Sequence, residues 1–277
     1  MTKKILISTW CTDDYADFLG VEKLTNSIKY FHPEIDHVIF NSEMTKKVNE
    51  QYSWLKPIWM MPPSCLPFID DYDMVIHLDA DAVVVGPMDE LFNSESDAVG
   101  VRNNNSFNKA GCCAGITIPH LEPFGNGNPI PIQKFINAGL VGVNKKEFWQ
   151  DWQKLNEFAS QNTIYGLGDE NDTLNQLFHC NKYKSEIIDP IGSKVSYGLS
   201  NVWGNTSHWE SWSEIYVKED KLYLDDPVTG DSMCLKVMHQ AGGSTAAELN
   251  KKHGNFREWL KTVVSKEVVE YINGVTS

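Results

Sequence analysis

A run of apolar residues interrupted by two aspartates, at positions 73–86, constrains the fold more than any other part of this sequence. The segment reads DMVIHLDADAVVVG. The residues before Asp79 do not alternate between apolar and polar types, which is typical of a strand covered on both faces. Strands of this kind belong to sheets that carry helices on both sides. The segment therefore predicts an α/β fold.

The first forty residues indicate the same architecture. Residues 3–9 (KKILIST) and 37–41 (HVIFN) are predicted strands, and apolar residues at helical spacing lie between them, after Asp13 or Asp14 as the helix cap. A strand–helix–strand order usually produces parallel strands. We therefore expect a mostly parallel central sheet flanked by helices. Further strands are expected at 82–86, 97–101 and 134–144, helices at 146–159 and 168–180, and loops at 103–131.

No repeat and no low-complexity linker divides the 277 residues. A chain of this length fits one α/β domain with elaborations, so we expect a single domain over 1–277. The stretch 190–245 is expected to be irregular, and residues 256–272 are expected to form an amphipathic helix at the end of the chain.

Charge and segment lengths narrow the class of protein. The formal net charge is −13 and the order of residues contains no basic face, so nucleic acid is not an expected partner. The opening residues, MTKKILISTW, lack the apolar run of a signal peptide, and no stretch reaches transmembrane length. The six cysteines lack a disulfide-framework spacing and indicate reduced thiols. We expect a cytoplasmic protein without a transmembrane segment.

Asp79 and Asp81 lie where a ligand is expected. In open α/β sheets ligands bind beyond the carboxyl ends of the strands, and the predicted strand ends at Asp79. Along an extended segment, residues two apart face the same way. Two neighbouring carboxylates repel each other unless a cation joins them, and Mn²⁺ or Mg²⁺ prefers oxygen ligands. The alternative is a solvated turn at a strand end.

Two downstream motifs could complete such a site. His239 follows an apolar segment and could be a third metal ligand, while Gly242 and Gly243 would let backbone amides approach a phosphate. Asn137 and Ala138, within INAGLVGVN, offer close approach to a polar ligand. The alternatives are a hydrogen-bonded core histidine and tight packing in a buried strand.

Acidic residues crowd the start of the predicted helix at 168–180. Asp169, Glu170 and Asp172 lie within five positions of one another, in the sequence GDENDTLN. Such residues can serve as a chemical site, but they also cap a helix and complement its dipole.

The order of these motifs resembles that of the GT-A glycosyltransferases, and within them the glycogenin and lipopolysaccharide galactosyltransferase type, family 8. The resemblance covers about residues 5–243 and is most specific in the Asp-x-Asp and Asn-Ala-Gly blocks. The matching segments are ISTWCTDDY at 7–15, HLDADAVVVGPMDELF at 77–92, INAGLVGVNKKEF at 136–148, ENDTLN at 170–175 and His239 to Gly242.

The resemblance implies a Rossmann-like GT-A fold and a metal-dependent glycosyltransferase that uses a nucleotide-diphospho-sugar, usually a UDP-sugar, with retention of configuration. The acceptor would be a glycan or another hydroxyl compound. Residues 1–145 would form the nucleotide-binding half, and residues 146–277 the acceptor-side half. Mn²⁺ or Mg²⁺ would be held by Asp79, Asp81 and His239.

The resemblance also implies the remaining site residues, which fall into three groups. The base pocket would be formed by Thr9, Cys11, Thr12 and Tyr15. The diphosphate and the donor sugar would contact Ala80, Asn137, Ala138 and Gly242. The polar groups near the reactive carbon would be Asp169, Glu170, Asn171 and Asp172.

The sequence departs from the family pattern at two positions. The family often follows its His-x-x-Gly with a lysine that contacts the diphosphate, whereas this chain has no lysine there, so Lys236, Ser244 or Thr245 could substitute. Asn171 stands where the family has glutamine and is one methylene shorter. This second departure leaves the sugar open.

Two other functions remain open from the sequence. Asp79-Ala-Asp81-Ala-Val also fits haloacid-dehalogenase-like phosphatases, in which Asp79 would be the nucleophile and Asp81 the acid/base. That motif normally opens its fold, and it leaves Asn137 and His239 without a role. The second alternative is a catalytically inactive relic that binds sugar nucleotides, because a fold does not fix a function.

Overall fold

The chain folds around a central sheet. The computed structural model describes residues 3–12, 21–52, 59–102, 130, 134–162, 170–197, 216–219, 221–226 and 229–239. The strands of the first part of the chain are β1 (Ile5–Trp10), β2 (Asp36–Phe40), β3 (Met74–Leu78), β4 (Ala82–Val84), β5 (Ala98–Arg102), β6 (Ile136–Val143) and β7 (Ser185–Ile187). The central sheet has 6 strands in the order β2-β1-β3-β6-β5-β7.

All strands of the central sheet except β6 point in the same direction. β1 is parallel to β2 and β3, and β5 is parallel to β7. β6 is antiparallel to both of its neighbours, β3 and β5. The mostly parallel sheet expected from the sequence is therefore confirmed. The reversal of β6, which was not predicted, brings the start of that strand to the edge where β3 and β5 end.

Helices cover both faces of the central sheet, as expected. They are α1 (Val21–Phe31), α2 (Ser42–Gln51), α3 (Met61–Cys65), α4 (Asp89–Phe92), α5 (Lys146–Gln161) and α6 (Glu170–Phe178). Apolar residues of α3, α5 and α6 pack on one face, and those of α1 and α4 pack on the other. Among the helices that the structure describes, none is long and apolar enough to cross a membrane.

Short strands occupy the described parts of 190–245, where an irregular segment was expected. β8 (Val195–Ser196), β9 (Tyr216–Lys218), β10 (Lys221–Asp225) and β11 (Ser232–Leu235) form a second sheet in the order β8-β11-β10-β9. β12 (Val237–His239) pairs with β4. That expectation was wrong for these residues because strands this short carry little periodicity. The predicted helix at 256–272 lies outside the described residues.

A buried ion pair joins the second sheet to the end of β5. The Arg102 guanidinium donates to Asp226 Oδ2 at 3.0 Å, and both side chains are buried. The Arg102 amide and the Tyr197 amide donate to the two carboxylate oxygens of Asp189, at 2.6 and 3.0 Å. Burial raises the pKa of Asp189 to about 7. These contacts fix the position of β5 where it reaches the edge of the sheet.

Replacing Asp226 should therefore destabilise the protein strongly. In Asp226→Ala the buried Arg102 guanidinium loses the carboxylate to which it donates, and removing one partner of a buried ion pair typically costs about 3–5 kcal/mol of unfolding free energy. Urea unfolding followed by circular dichroism measures this loss. The matched control is Asp70→Ala, which removes the exposed partner of Lys146 and should leave the unfolding midpoint unchanged. Equal midpoints for the two variants would contradict the assigned role of the buried pair.

Candidate functional site

The candidate site lies at the edge where β1, β3 and β5 end and β6 begins. Asp79 immediately follows β3, and its amide donates to the Gly139 carbonyl at 2.9 Å. This hydrogen bond joins the Asp-x-Asp segment to the Asn-Ala-Gly segment, which is 60 residues away in the sequence. Two of the motifs singled out from the sequence are therefore in direct contact.

Residues 79–82 form a tight turn between β3 and β4. The Ala82 amide donates to the Asp79 carbonyl at 3.1 Å, which closes the four-residue turn, and Ala80 is buried. The extended segment assumed in the sequence analysis was wrong here, because the chain leaves the central sheet at Asp79 to enter β4. The Asp79 side chain stays 27% exposed, so solvent reaches its carboxylate.

The backbone of His239 lies beside this turn. β12 pairs antiparallel with β4, with His239 opposite Ala82 and Met238 opposite Val83. Ala82 directly follows Asp81, so the strand pairing brings the predicted third ligand next to the two aspartates. The imidazole of His239 lies outside the description.

The donor set of this edge suits a divalent cation. Among the side chains that the structure describes, no three His, Cys, Asp or Glu residues form a metal-binding group. That set omits the His239 imidazole, the predicted third ligand. The backbone of His239 lies beside the turn that carries Asp79 and Asp81. Carboxylate oxygens and a histidine are ligands that Mn²⁺ accepts, and Mg²⁺ also binds carboxylate oxygens.

A wide bulge at the start of β6 shapes the floor of the site. Pairing with β5 jumps from Gly100–Val141 to Val101–Asn137, so residues 138–140 have no partner in β5, although Leu140 still pairs with Leu78 of β3. The Gly139 amide donates to Asn137 Oδ1 at 2.8 Å within the bulge. A Cβ at position 139 would lie 2.6 Å from one carboxylate oxygen of Asp79, Oδ2. Only glycine fits this contact, and its absence of a side chain lets the carboxylate lie against the bulge.

Helix α6 supplies the hydrogen bonds that a neighbouring strand would otherwise make to the start of β6. Asn171 Oδ1 accepts from the Ala138 amide at 2.9 Å. The Asn175 side chain accepts from the Ile136 amide and donates to the Ile136 carbonyl, both at 2.9 Å. Asn171 and Asn175 are one helical turn apart and face the same way. The helix therefore orients the backbone of the predicted sugar-contacting segment.

The predicted catalytic residues lie in the first turn of the same helix. Glu170 Oε1 accepts from Asn171 Nδ2 at 3.3 Å, and Asp172 follows directly in α6. Asp169 lies outside the described residues. The structure thus brings Glu170, Asn171 and Asp172 to the Asn-Ala-Gly segment, while their chemical roles remain predictions.

Thr9 lies near the end of β1, and its side chain contacts a histidine of β2. Thr9 Oγ1 lies 3.0 Å from His37 Nε2. Burial lowers the pKa of His37 to about 4, so this imidazole is uncharged at neutral pH. The Thr9 side chain is fully buried. Its hydroxyl is therefore held inside the sheet, and this contact helps to fix the end of β1, which precedes the predicted base pocket.

The other predicted pocket residues follow β1. Cys11 is buried and its amide donates to the Phe40 carbonyl at 3.1 Å, while Thr12 is partly exposed. Tyr15 and Gly242 lie outside the described residues. Their contacts with a nucleotide remain predictions.

Lys236, one of three residues that could substitute for the family's lysine, lies against Glu90. Its side chain is only 10% exposed, and Nζ lies 3.6 Å from Glu90 Oε1. The other two candidates, Ser244 and Thr245, lie outside the described residues.

His77 is a site residue that the sequence analysis did not identify. Its Nε2 lies 2.9 Å from Asp79 Oδ1, and its side chain is 1% exposed. The sequence does contain a signal for it: a polar residue in an apolar strand, two positions before Asp79 and hence on the same face.

Replacing Gly139 should weaken cation binding without unfolding the protein. In Gly139→Ala the new methyl displaces the Asp79 carboxylate, so we expect Mn²⁺ affinity to fall on the order of tenfold or more. The free Mn²⁺ signal in electron paramagnetic resonance measures it. The control is Gly142→Ala on the same strand, whose methyl meets Met74 Cε in the core. That control should lower the melting temperature and keep the affinity, and equal affinities in both variants would contradict the prediction.

Comparison with known proteins finds similarity in structure only. No protein-family model matches the sequence, and no curated protein matches it. The chain is similar to an active-site mutant of LgtC, with a TM-score of 0.48 and 15% identity over 95% of this chain and 98% of that one. It is also similar to the galactosyltransferase LgtC in complex with donor and acceptor sugar analogs (TM-score 0.47, 15% identity, 96% and 99% covered). A third similar structure is the bifunctional glycosyltransferase WbbM (TM-score 0.47, 13% identity, 92% and 50% covered). These values are too low to assign the chain to a family.

Proposed function

We propose that this protein is a metal-dependent GT-A glycosyltransferase that transfers a hexose from a UDP-sugar to a glycan or another hydroxyl acceptor, with retention of configuration. One observation carries the proposal: the pairing of β12 with β4 brings the backbone of His239 opposite Ala82. The Asp-x-Asp turn, the Asn-Ala-Gly bulge, the start of α6 and the backbone of His239 lie at one edge of the sheet, which supports the proposal.

Asp79, Asp81 and His239 would hold Mn²⁺, or Mg²⁺ in its place. The bound cation would neutralise the charge that develops on the departing diphosphate, which lowers the barrier to cleavage of the bond to the sugar. The turn at 79–82 supports this role because it fixes the backbone that carries both carboxylates.

The remaining residues would bind and orient the donor. Thr12 and Tyr15 would contact the base, with Thr9 and Cys11 shaping the backbone beneath it. Asn137 and Ala138 would contact the sugar, and the Gly242 backbone would contact the diphosphate. In support of this arrangement, α6 holds the Ala138 amide through Asn171.

The acidic groups at the start of α6 would lie near the reactive carbon of the donor sugar. Positive charge develops there as the bond to the diphosphate breaks, and the carboxylates of Asp169, Glu170 and Asp172 would stabilise it. Asn171 would act beside them, with its side-chain oxygen already committed to Ala138. The protein would carry out this step in the cytoplasm.

The proposal predicts UDP binding that depends on Mn²⁺ and on the two aspartates. Isothermal titration of UDP into the wild-type chain should release heat with Mn²⁺ and little without it. In Asp79→Ala/Asp81→Ala the signal should fall to that of buffer, because the diphosphate has no cation to bind. The control is Asp70→Ala/Asp71→Ala, which removes two exposed aspartates outside the site and should bind UDP as the wild type does.

Two outcomes would redirect the assignment. Failure of the wild-type chain to bind UDP or GDP with Mn²⁺ would overturn the glycosyltransferase proposal, and hydrolysis of p-nitrophenyl phosphate would then establish the phosphatase. UDP binding without turnover of UDP-glucose or UDP-galactose, either to free sugar or to an acceptor, would indicate an inactive sugar-nucleotide-binding protein.

A further inference from the structure

We propose that His77 is a positioning residue that orients the Asp79 carboxylate for the cation before the cation binds. This inference rests on the proposed function, since it assigns a role within the proposed metal site. It concerns a residue inside the sheet to which the sequence analysis gave no role.

The burial of His77 requires an explanation. It lies in β3, whose five residues are all buried, and its side chain is 1% exposed. Burying a polar group costs free energy unless a hydrogen bond compensates for it. The described compensation is the hydrogen bond between His77 Nε2 and Asp79 Oδ1, at 2.9 Å. The imidazole is therefore placed to serve this one carboxylate.

The contacts of the imidazole fix its tautomer. A carboxylate only accepts hydrogen bonds, so Nε2 of His77 carries the hydrogen that is shared with Asp79. Nδ1 is buried and has no hydrogen-bond partner among the described residues. A hydrogen on Nδ1 would be a buried donor without an acceptor, which is costly. His77 Nε2 is thus the donor that points at Oδ1.

The Asp79 side chain is held from two sides. Oδ1 is bound by His77, while Oδ2 lies so close to Gly139 that a Cβ there would be 2.6 Å away. The Asp79 amide is in turn bound to the Gly139 carbonyl. Rotation of the carboxylate would break the hydrogen bond on one side or meet the bulge on the other. The carboxylate therefore keeps one orientation.

A histidine suits this task better than lysine or arginine. Lysine or arginine at position 77 would also orient Asp79, but its positive charge would oppose the arrival of a divalent cation. Hydrogen-bond partners of metal ligands commonly change metal affinity by about 10–100-fold when they are removed.

The test compares three full-length variants with the wild type. His77→Leu fills the space without a donor, and His77→Gln places an amide Nε2–H within reach of Asp79 Oδ1. The control is His32→Leu. His32 is also buried and accepts one hydrogen bond at Nε2, from the Met88 amide, but it precedes β2 and thus lies at the opposite edge of the sheet.

The dissociation constant for Mn²⁺ is measured by electron paramagnetic resonance, and the melting temperature of the metal-free proteins by circular dichroism. We expect His77→Leu to weaken Mn²⁺ binding by about 10–100-fold and His77→Gln to recover most of that loss. His32→Leu should lower the melting temperature and keep wild-type affinity. Nitrogen chemical shifts of the His77 imidazole in the metal-free protein should show the hydrogen on Nε2.

Each other result overturns a defined claim. Wild-type Mn²⁺ affinity in His77→Leu, or equal weakening in His77→Leu and His77→Gln, would overturn the orienting hydrogen bond. A hydrogen on Nδ1 would overturn the assigned tautomer and the orienting contact with it. Absence of Mn²⁺ binding by the wild-type chain would overturn the proposed function itself, together with the role of His77.

Discussion

The reversal of β6 within an otherwise parallel sheet is the constraint on which the candidate site depends. In an all-parallel sheet, the neighbour of β3 would bring its last residues to the edge where Asp79 lies. Because β6 runs the other way, its first residues reach that edge, and the Asp79 amide bonds to the Gly139 carbonyl. The glycine there faces a carboxylate oxygen at a distance that excludes any side chain. The reversed direction of β6 thus brings the backbone of Gly139 against Asp79.

The same reversal explains why α6 is attached where it is. The first residues of β6 extend past the end of β3, whose pairing with β6 stops at Leu78 and Leu140, so their backbone groups on that side need other partners. Asn171 and Asn175 replace those partners with side-chain amides. A buried Thr173 between them binds Trp152 Nε1 at 3.0 Å and so ties α6 to α5. The start of α6, which carries the acidic residues, is therefore held in place by its hydrogen bonds to the backbone of β6.

Local patterns predicted the parts of the molecule that are determined locally. The strands at 3–9 and 73–79 and the helix at 146–159 were located to within a few residues, because an unbroken apolar run or a helical period is a property of the segment itself. The direction of β6 and the pairing of β12 with β4 depend on residues far apart in the sequence, so no window of sequence contains them. The turn after Asp79 was only the alternative in the sequence analysis, because the pairing of β4 with β12 that follows it is not visible in the local sequence.

The two basic side chains at the ends of the strands near the site, Arg102 and Lys236, are paired with carboxylates other than Asp79 and Asp81. Arg102 ends β5 at this edge but is bound by Asp226, and Lys236 precedes β12 but lies against Glu90. His77 contributes a hydrogen bond to the Asp79 carboxylate at 2.9 Å. Arg102 and Lys236 are therefore engaged by other carboxylates, and the proposed site would take a divalent cation from solution. In the proposed reaction that cation, rather than a lysine, would meet most of the charge of the departing diphosphate.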